Sequence, residues 1–402
     1  MARFLMAWEF GDGLGHVGRF RPLAQALRAQ GHEVDFMLRE IVQSRTVLGD
    51  LGLRLLQAPI WLHPTVGLPA PSISLTEILA GNGYLHAEHL DALVQGWLST
   101  MALLQPDVLV ADYAPTATLA ARILGIPVAT VGSAFYLPPD ASPLPPFRTW
   151  EPIEAGRVAY WDRRLLQTIN AVLARHGAPA VNQVADILRG NRPLLCSWPE
   201  LDPYQRGPLA PDQAWLGPGA LTSGGEAPAW PEGEGPLVFA YLRSTHADLV
   251  PLLQALADHP CRTLCYLPEL AAGRLPPVQS DRIRYTSRPV SLQQALPQVR
   301  LLVSHAGAST VAQALQVGVP MLLLPTHTEQ FINAQQVAAL GAGLNAATRP
   351  RPTPFAAMLH TLLDEPACLQ AAQATAGRYR GHDPARLPTT LAEACIALLP
   401  SS

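Results

Sequence analysis

Apolar residues enter this chain in short unbroken runs, each followed by a stretch whose apolar positions recur at helical spacing. The first run, 4–10, passes into the glycine-rich turn 11–18 and then into a segment where Phe20, Leu23, Ala24 and Leu27 share one helix face before Gly31. Further runs at 34–38, 53–56, 108–111 and 128–131 predict strands, each bracketed by helical patterns. Strands that are apolar throughout, alternating with helices, indicate a parallel sheet covered on both faces. The alternation breaks between about 203 and 236, where Gly207-Pro208, Gly217-Pro218-Gly219, Ser223-Gly224-Gly225 and Gly233-Glu234-Gly235-Pro236 crowd together. It then resumes with strands at 237–241, 263–267, 301–304 and 321–324 and helices at 249–256, 309–317 and 332–340.

The expected organisation is therefore two α/β domains, 1–215 and 233–380, joined by a linker at 216–232 and followed by a segment 381–402. A chain of 402 residues is too long for one ordinary core, which agrees. Parallel sheets bind ligands beyond the carboxyl ends of their strands, and two facing sheets place a cleft between them. The residues just after strands are the ones to search.

Composition narrows the classes. Apolar residues make up 49% and charged residues 15%, a globular balance, and the net charge of −3 gives no reason to expect nucleic acid or an anionic membrane surface. All 28 basic residues are arginine, and they form no run or stripe. The five cysteines, Cys196, Cys261, Cys265, Cys368 and Cys395, make neither a disulfide framework nor a zinc site, so reduced thiols and a cytoplasmic setting are expected. The first apolar run is too short for a signal peptide, and no run reaches the ~18 residues of a membrane span.

The densest chemistry lies in Ser304-His305-Ala306-Gly307-Ala308-Ser309-Thr310, then Gln313, Gly318-Val319-Pro320, and Thr326-His327-Thr328-Glu329-Gln330 with Asn333-Ala334. A strand, a turn of small residues and a helix start present free N–H groups and the positive end of a dipole, which attract phosphate. Gly307 admits close approach, Ser309 and Thr310 add hydroxyls, and His305 can donate to a second phosphate. Glu329 and Gln330, read as a loop ahead of the next helix, pair a carboxylate with a carboxamide that suits sugar hydroxyls. Taken singly, Ser309 is as well explained as a helix cap and Glu329 as a solvated loop residue.

As a set, this arrangement resembles the donor-binding signature of the family 1 glycosyltransferases, the UDP-glycosyltransferase and macrolide glycosyltransferase type. The resemblance runs from His305 to Ala334. It implies a GT-B fold of two facing Rossmann-like domains and an inverting, metal-independent transfer of a sugar from a nucleoside diphosphate, UDP- or dTDP-linked, to an acceptor hydroxyl. By resemblance, His305, Gly307, Ala308, Ser309 and Thr310 hold the diphosphate, while Glu329 and Gln330 hold the sugar. Two positions depart from it. Gln313 stands where the family usually carries a glutamate for the ribose, and Ser287 where plant members place a tryptophan against the base. Arg288 and the Val290 backbone are expected to line the base, with Arg243 and Ser244, at the end of strand 237–241, beside the diphosphate. The C-terminal helix, at about 389–399, packs back on the first domain in similar proteins.

Gly13-Leu14-Gly15-His16-Val17-Gly18 also matches G-x-G-x-x-G after a strand, which suggests an NAD-dependent oxidoreductase; its acidic partner would be Glu40, a loose fit. The same segment, with Gly31-His32-Glu33-Val34, resembles the glycosyltransferase amino terminus, where the histidine is the general base. Pro106 to Asp112 resembles the strand whose last aspartate orients that base. His16 taking a proton near neutral pH needs a carboxylate such as Asp112 on its other nitrogen. The alternatives are a turn histidine and an aspartate capping the helix before Pro115. Gly15, Ser133, Phe135 and Tyr136 are expected at the acceptor, an apolar small molecule or lipid, with Trp61, Tyr84, Trp150 and Trp161 as further wall. The pair His86 and His89, with Asp91 beyond, reads as an exposed helix face rather than a metal site. A partner protein that keeps the fold without catalysis is the third class.

Overall fold

A computed structural model describes residues 1–11, 13–211, 213–219 and 225–400. It divides into two compact units, Met1–Gly219 with Ala385–Ser402, and Ala220–Pro384.

The first unit is built on six parallel strands: β1 (Arg3–Trp8), β2 (Glu33–Leu38), β3 (Leu55–Gln57), β4 (Val108–Asp112), β5 (Val128–Gly132) and β6 (Arg192–Leu195). Their order is β3-β2-β1-β4-β5-β6. The chain winds outward from β1 in one direction and from β4 in the other, so the switch point lies between these two. Their register sets Trp8 beside Asp112 at the carboxyl edge. The central strands are buried on both faces because helices cover both. Val17, Phe20, Leu23, Ala24 and Leu27 of the helix Gly15–Ala29 pack on Phe4, Met6 and Trp8 of β1 in one cluster. The helix Leu387–Ile396 belongs to this cluster too, through Leu387, Leu391, Ala392 and Cys395.

The second unit repeats the plan with β7 (Leu237–Tyr241), β8 (Arg262–Tyr266), β9 (Ile283–Thr286), β10 (Leu301–Ser304), β11 (Met321–Leu323) and β12 (Gly343–Asn345). The order β12-β11-β10-β7-β8-β9 puts the switch point between β10 and β7, where Ser304 pairs with Tyr241. Its core gathers Leu252, Leu253 and Leu256 of the helix Leu249–Asp258 with Leu359 and Leu362 of the helix Phe355–Leu363.

Three strands escape the apolar-run reading: β6, β9 and β12. Each is short and lies near or at a sheet edge, where one side needs no apolar partner, and β6 carries Pro193, which an edge tolerates. A second correction concerns Glu329 and Gln330, which stand in the first turn of the helix Thr328–Ala339 rather than on a loop before it. Within 216–232, residues 220–224 lie outside the described residues. On either side of them, Leu216 N–H donates to the Leu195 carbonyl at 2.9 Å and Glu226 bridges Val290, so both flanks are joined to their units.

Candidate active site

At the first unit's switch point, His16 sits in the opening turn of the helix Gly15–Ala29 and Asp112 ends β4. The His16 Nδ1 lies 2.8 Å from Asp112 Oδ1, and both side chains are buried. A carboxylate accepts only, so Nδ1 carries the hydrogen and the lone pair is on Nε2. Trp8 stacks on the imidazole at 5.0 Å and Tyr136 leans on it at 5.3 Å, fixing the ring plane. Gly11, at φ +81, crosses so near that a Cβ there would stand 2.8 Å from Nε2. Backbone conformation and clearance both require glycine at that point.

Asp112 is shared. Its second oxygen accepts from the Arg19 guanidinium, one helical turn beyond His16. Burial pushes the Asp112 carboxyl up, but the Arg19 charge and then His16 outweigh it and hold it below the ordinary carboxylate range. Asp112 does not cap the following helix. The N-cap of Pro115–Leu124 is Ala114, and Glu9 serves that helix end instead, accepting from Thr116 N–H at 2.9 Å. Burial, only partly offset by those bonds, pushes the Glu9 carboxyl up to about 8.

The expected acceptor residues separate by depth. Tyr136 touches His16 and stacks on Tyr113 at 4.4 Å. Phe135 lies behind it, against Phe147, with its carbonyl accepting from Tyr204 Oη at 2.9 Å. Ser133 is buried, its carbonyl accepting from Tyr136 and Leu137 N–H, and Gly15 opens the helix on the exposed side. Tyr84 is core, bonded to Thr116. His86 and His89 gather with His63 around Trp61, and Asp91 bonds His176 at 2.7 Å. Among the described residues no three His, Cys, Asp or Glu side chains are grouped to hold a metal ion. Glu40, the acid that an NAD site would require, accepts from Val42 and Gln43 N–H at 2.7 Å and so is committed to capping the next helix.

At the second unit's switch point, His305 follows β10. Its Nδ1 lies 2.7 Å from the Leu324 carbonyl, and its Nε2 accepts from the Arg243 backbone N–H at 2.9 Å. The expectation was that His305 donates to a phosphate; here its ring meets backbone groups. Both nitrogens are spent on backbone, and the ring instead ties the ends of β10, β7 and β11 together. Burial, above all, pushes its pKa below the ordinary histidine range, so the neutral ring these bonds require is favoured. Ala306 then adopts φ +64, a left-handed conformation rare for a side-chain-bearing residue, and the buried Asn333 holds it by donating to its carbonyl at 3.0 Å.

That turn aims the helix Ala308–Val317, whose N-cap is Gly307 with no side-chain cap. Ala308, Ser309 and Thr310 therefore present first-turn N–H groups that have no intrahelical acceptor. Gln313 follows on the same helix, half-buried. Gln330 Oε1 accepts from Thr326 N–H at 2.9 Å and from its hydroxyl at 2.8 Å, which leaves the amide NH2 to donate elsewhere; Glu329 precedes it. Arg243 is exposed after β7, and Ser244 Oγ accepts from Arg274 at 2.9 Å. Arg288 pairs with Glu226 at 2.6 Å on the surface. The bridge to Glu226 uses Pro289 O and Ser291 N, so the N–H and C=O of Val290 point the other way.

Arg19, Trp8, Gly11 and Asn333 are site residues that the sequence reading did not single out. Asn333 lay inside the quoted signature and Arg19 at i+3 from His16, so each carried a weak positional signal.

Known proteins resemble this chain in sequence and in fold. Residues 269–398 match the family described as erythromycin biosynthesis protein CIII-like, C-terminal domain. A PGL/p-HBAD biosynthesis glycosyltransferase of Mycobacterium tuberculosis is 25% identical over 350 residues, covering 82% of this chain and 78% of that protein. The elloramycin glycosyltransferase ElmGT of Streptomyces olivaceus is 34% identical over 170 residues, 35% of this chain and 42% of its own length. In fold, the glycosyltransferase VinC in complex with dTDP aligns over 98% of this chain and 100% of its own, with a TM-score of 0.65 at 19% identity.

Proposed function

We propose that this chain is a glycosyltransferase of family 1, macrolide type, and that it moves a sugar from a dTDP- or UDP-linked donor to a hydroxyl of an apolar small molecule or lipid, with inversion and without a catalytic metal. The His16–Asp112 contact carries this reading. His16 Nε2 removes the acceptor proton while Asp112, already ionised, stabilises the imidazolium. The acceptor oxygen attacks the anomeric carbon opposite the departing diphosphate, which inverts that centre. One C–O bond forms as the other breaks, and the proton stays on His16 until solvent takes it.

The departing charge falls to the first-turn N–H groups at Ala308, Ser309 and Thr310 and to the positive end of their helix, with Arg243 nearby. Glu329 and the Gln330 amide hold the sugar hydroxyls, and Val290 reads the base edge. Aligned N–H donors can replace a divalent cation, so chelator should leave the rate unchanged. The largely buried aromatic rings beside His16, Tyr136 and Tyr113, support an apolar acceptor. The names of the relatives connect one to PGL/p-HBAD biosynthesis and the other to elloramycin.

The test is a melting-temperature panel with dTDP, UDP and NAD, followed by transfer assays with the matching sugar nucleotides. Stabilisation by a nucleoside diphosphate, and product whose anomeric configuration is inverted, are expected. A shift with NAD alone would sink the proposal.

A further inference from the structure

We propose that Arg19 is a third member of the base assembly, a positioning residue that fixes the Asp112 carboxylate in its plane and in its charged form so that His16 keeps its lone pair on Nε2. The inference rests on the reading of His16 as the base.

The geometry is that of a relay with both oxygens taken. Asp112 ends β4 with no exposure, gives Oδ1 to His16 and gives Oδ2 to Arg19, whose side chain is itself only 13% exposed. His16 and Arg19 are three residues apart on one helix, so they present to the same side. A carboxylate with one partner rotates about its last bond, whereas one gripped at both oxygens by two groups of the same helix does not. Arginine suits this because its guanidinium is planar and does not lose its charge.

Beside His16 and Arg19, the titratable groups near Asp112 are Tyr136, from the segment after β5, and Cys196, after β6. Burial pushes the Cys196 thiol up to about 11, so it is neutral near pH 7 and leaves Asp112 uncompensated. Glu9 serves the Pro115 helix rather than this cluster. Arg19 is thus the permanent cation on the pair. Without it, burial is opposed by His16 alone and the carboxyl takes up a proton at higher pH. A protonated Asp112 no longer stabilises the imidazolium, and catalysis stops although His16 is intact.

Arg19→Gln, Arg19→Lys and the double variant Arg19→Gln with Asp112→Asn test this in the full-length chain. Difference infrared spectra read the carboxyl directly and need no substrate. Arg19→Gln should show, near neutral pH, a second protonated-carboxyl band beside that of Glu9, which wild type, Arg19→Lys and the double variant lack. In transfer assays its kcat should fall about 10–100-fold near pH 7, with the acid limb displaced to higher pH and the donor KM unchanged. Arg19→Lys, which keeps the charge, should restore the position of that limb. The stability of Arg19→Gln should also recover as pH falls, because the protonated carboxyl needs no cation, so a variant that folds only at acid pH supports the assignment. A variant without the band and with the wild-type pH profile overturns it, as does one that unfolds at every pH. If no donor and acceptor pair reacts, the transfer reading fails while the infrared measurement still decides the role of Arg19.

Discussion

At the β1–β4 edge His16 turns Nδ1 to a carboxylate and keeps Nε2 for chemistry; at the β7–β10 edge His305 turns Nδ1 to a carbonyl and gives Nε2 to a backbone N–H. Both histidines follow a central strand at the switch point of a six-stranded parallel sheet. Position alone would assign them equal parts. The group on the second nitrogen separates them. A carboxylate stabilises the cation a base must become, whereas an N–H donor on Nε2 occupies the lone pair a base must use. On the proposed reading the first edge serves to move a proton, while the second holds a turn that aims helix N–H groups.

The largest expected effect tests that division. His16→Ala should lower kcat by about 10³-fold while the melting-temperature shift with donor nucleotide persists. Loss of nucleotide binding instead would place His16 at the wrong end of the reaction. Gly11→Ala comes next. Its Cβ would crowd Nε2 from 2.8 Å, and φ +81 would be strained. Turnover should drop by about 10²-fold with donor KM unchanged, the cost of a misplaced reacting atom. Unchanged turnover would mean the turn yields and Nε2 is not confined.

His305→Ala should do the converse, raising donor KM about tenfold and lowering the melting temperature, because two backbone partners lose their bonds. A kcat collapse at saturating donor would contradict the structural role given to it. This histidine also sets a pH dependence. Its folded pKa lies below 6.5, so the unfolded chain binds the proton first as pH falls. Stability is therefore full above pH 6.5 and declines below it, and His305→Gln should flatten part of that slope in denaturant titrations. His246, whose ring lies 5.4 Å away and whose pKa is lowered chiefly by burial, keeps the remainder. The smallest effect belongs to Arg288→Ala. This exposed pair with Glu226 should leave the melting temperature alone and change donor KM only a few-fold.

Both sheets were legible because their central strands are apolar on both faces, a pattern that loops do not imitate. The edges were less so: β12 is three residues with a glycine, and β6 contains a proline. Of the candidate site, the strand-end residues could be read from position, and the pairing of His16 with Asp112 from the chemistry a base requires. What could not be read was occupancy. Nothing in Ser304-His305-Ala306 reveals that the Arg243 amide, 62 positions earlier, fills the ring nitrogen, because that contact depends on which strands become neighbours. Arg19 was obscured similarly, as an arginine on a helix is most often a surface charge until the buried partner is known.

The helix Leu387–Ile396 completes the core of the first unit, yet it is translated only after the whole of the second. On the ribosome the second unit is complete while the first, bearing His16, still lacks part of its packing. A nascent chain halted before Leu387 would lack the side chains that cover part of its earliest-made core. Leu391→Ala should accordingly burden the unit that was synthesised first.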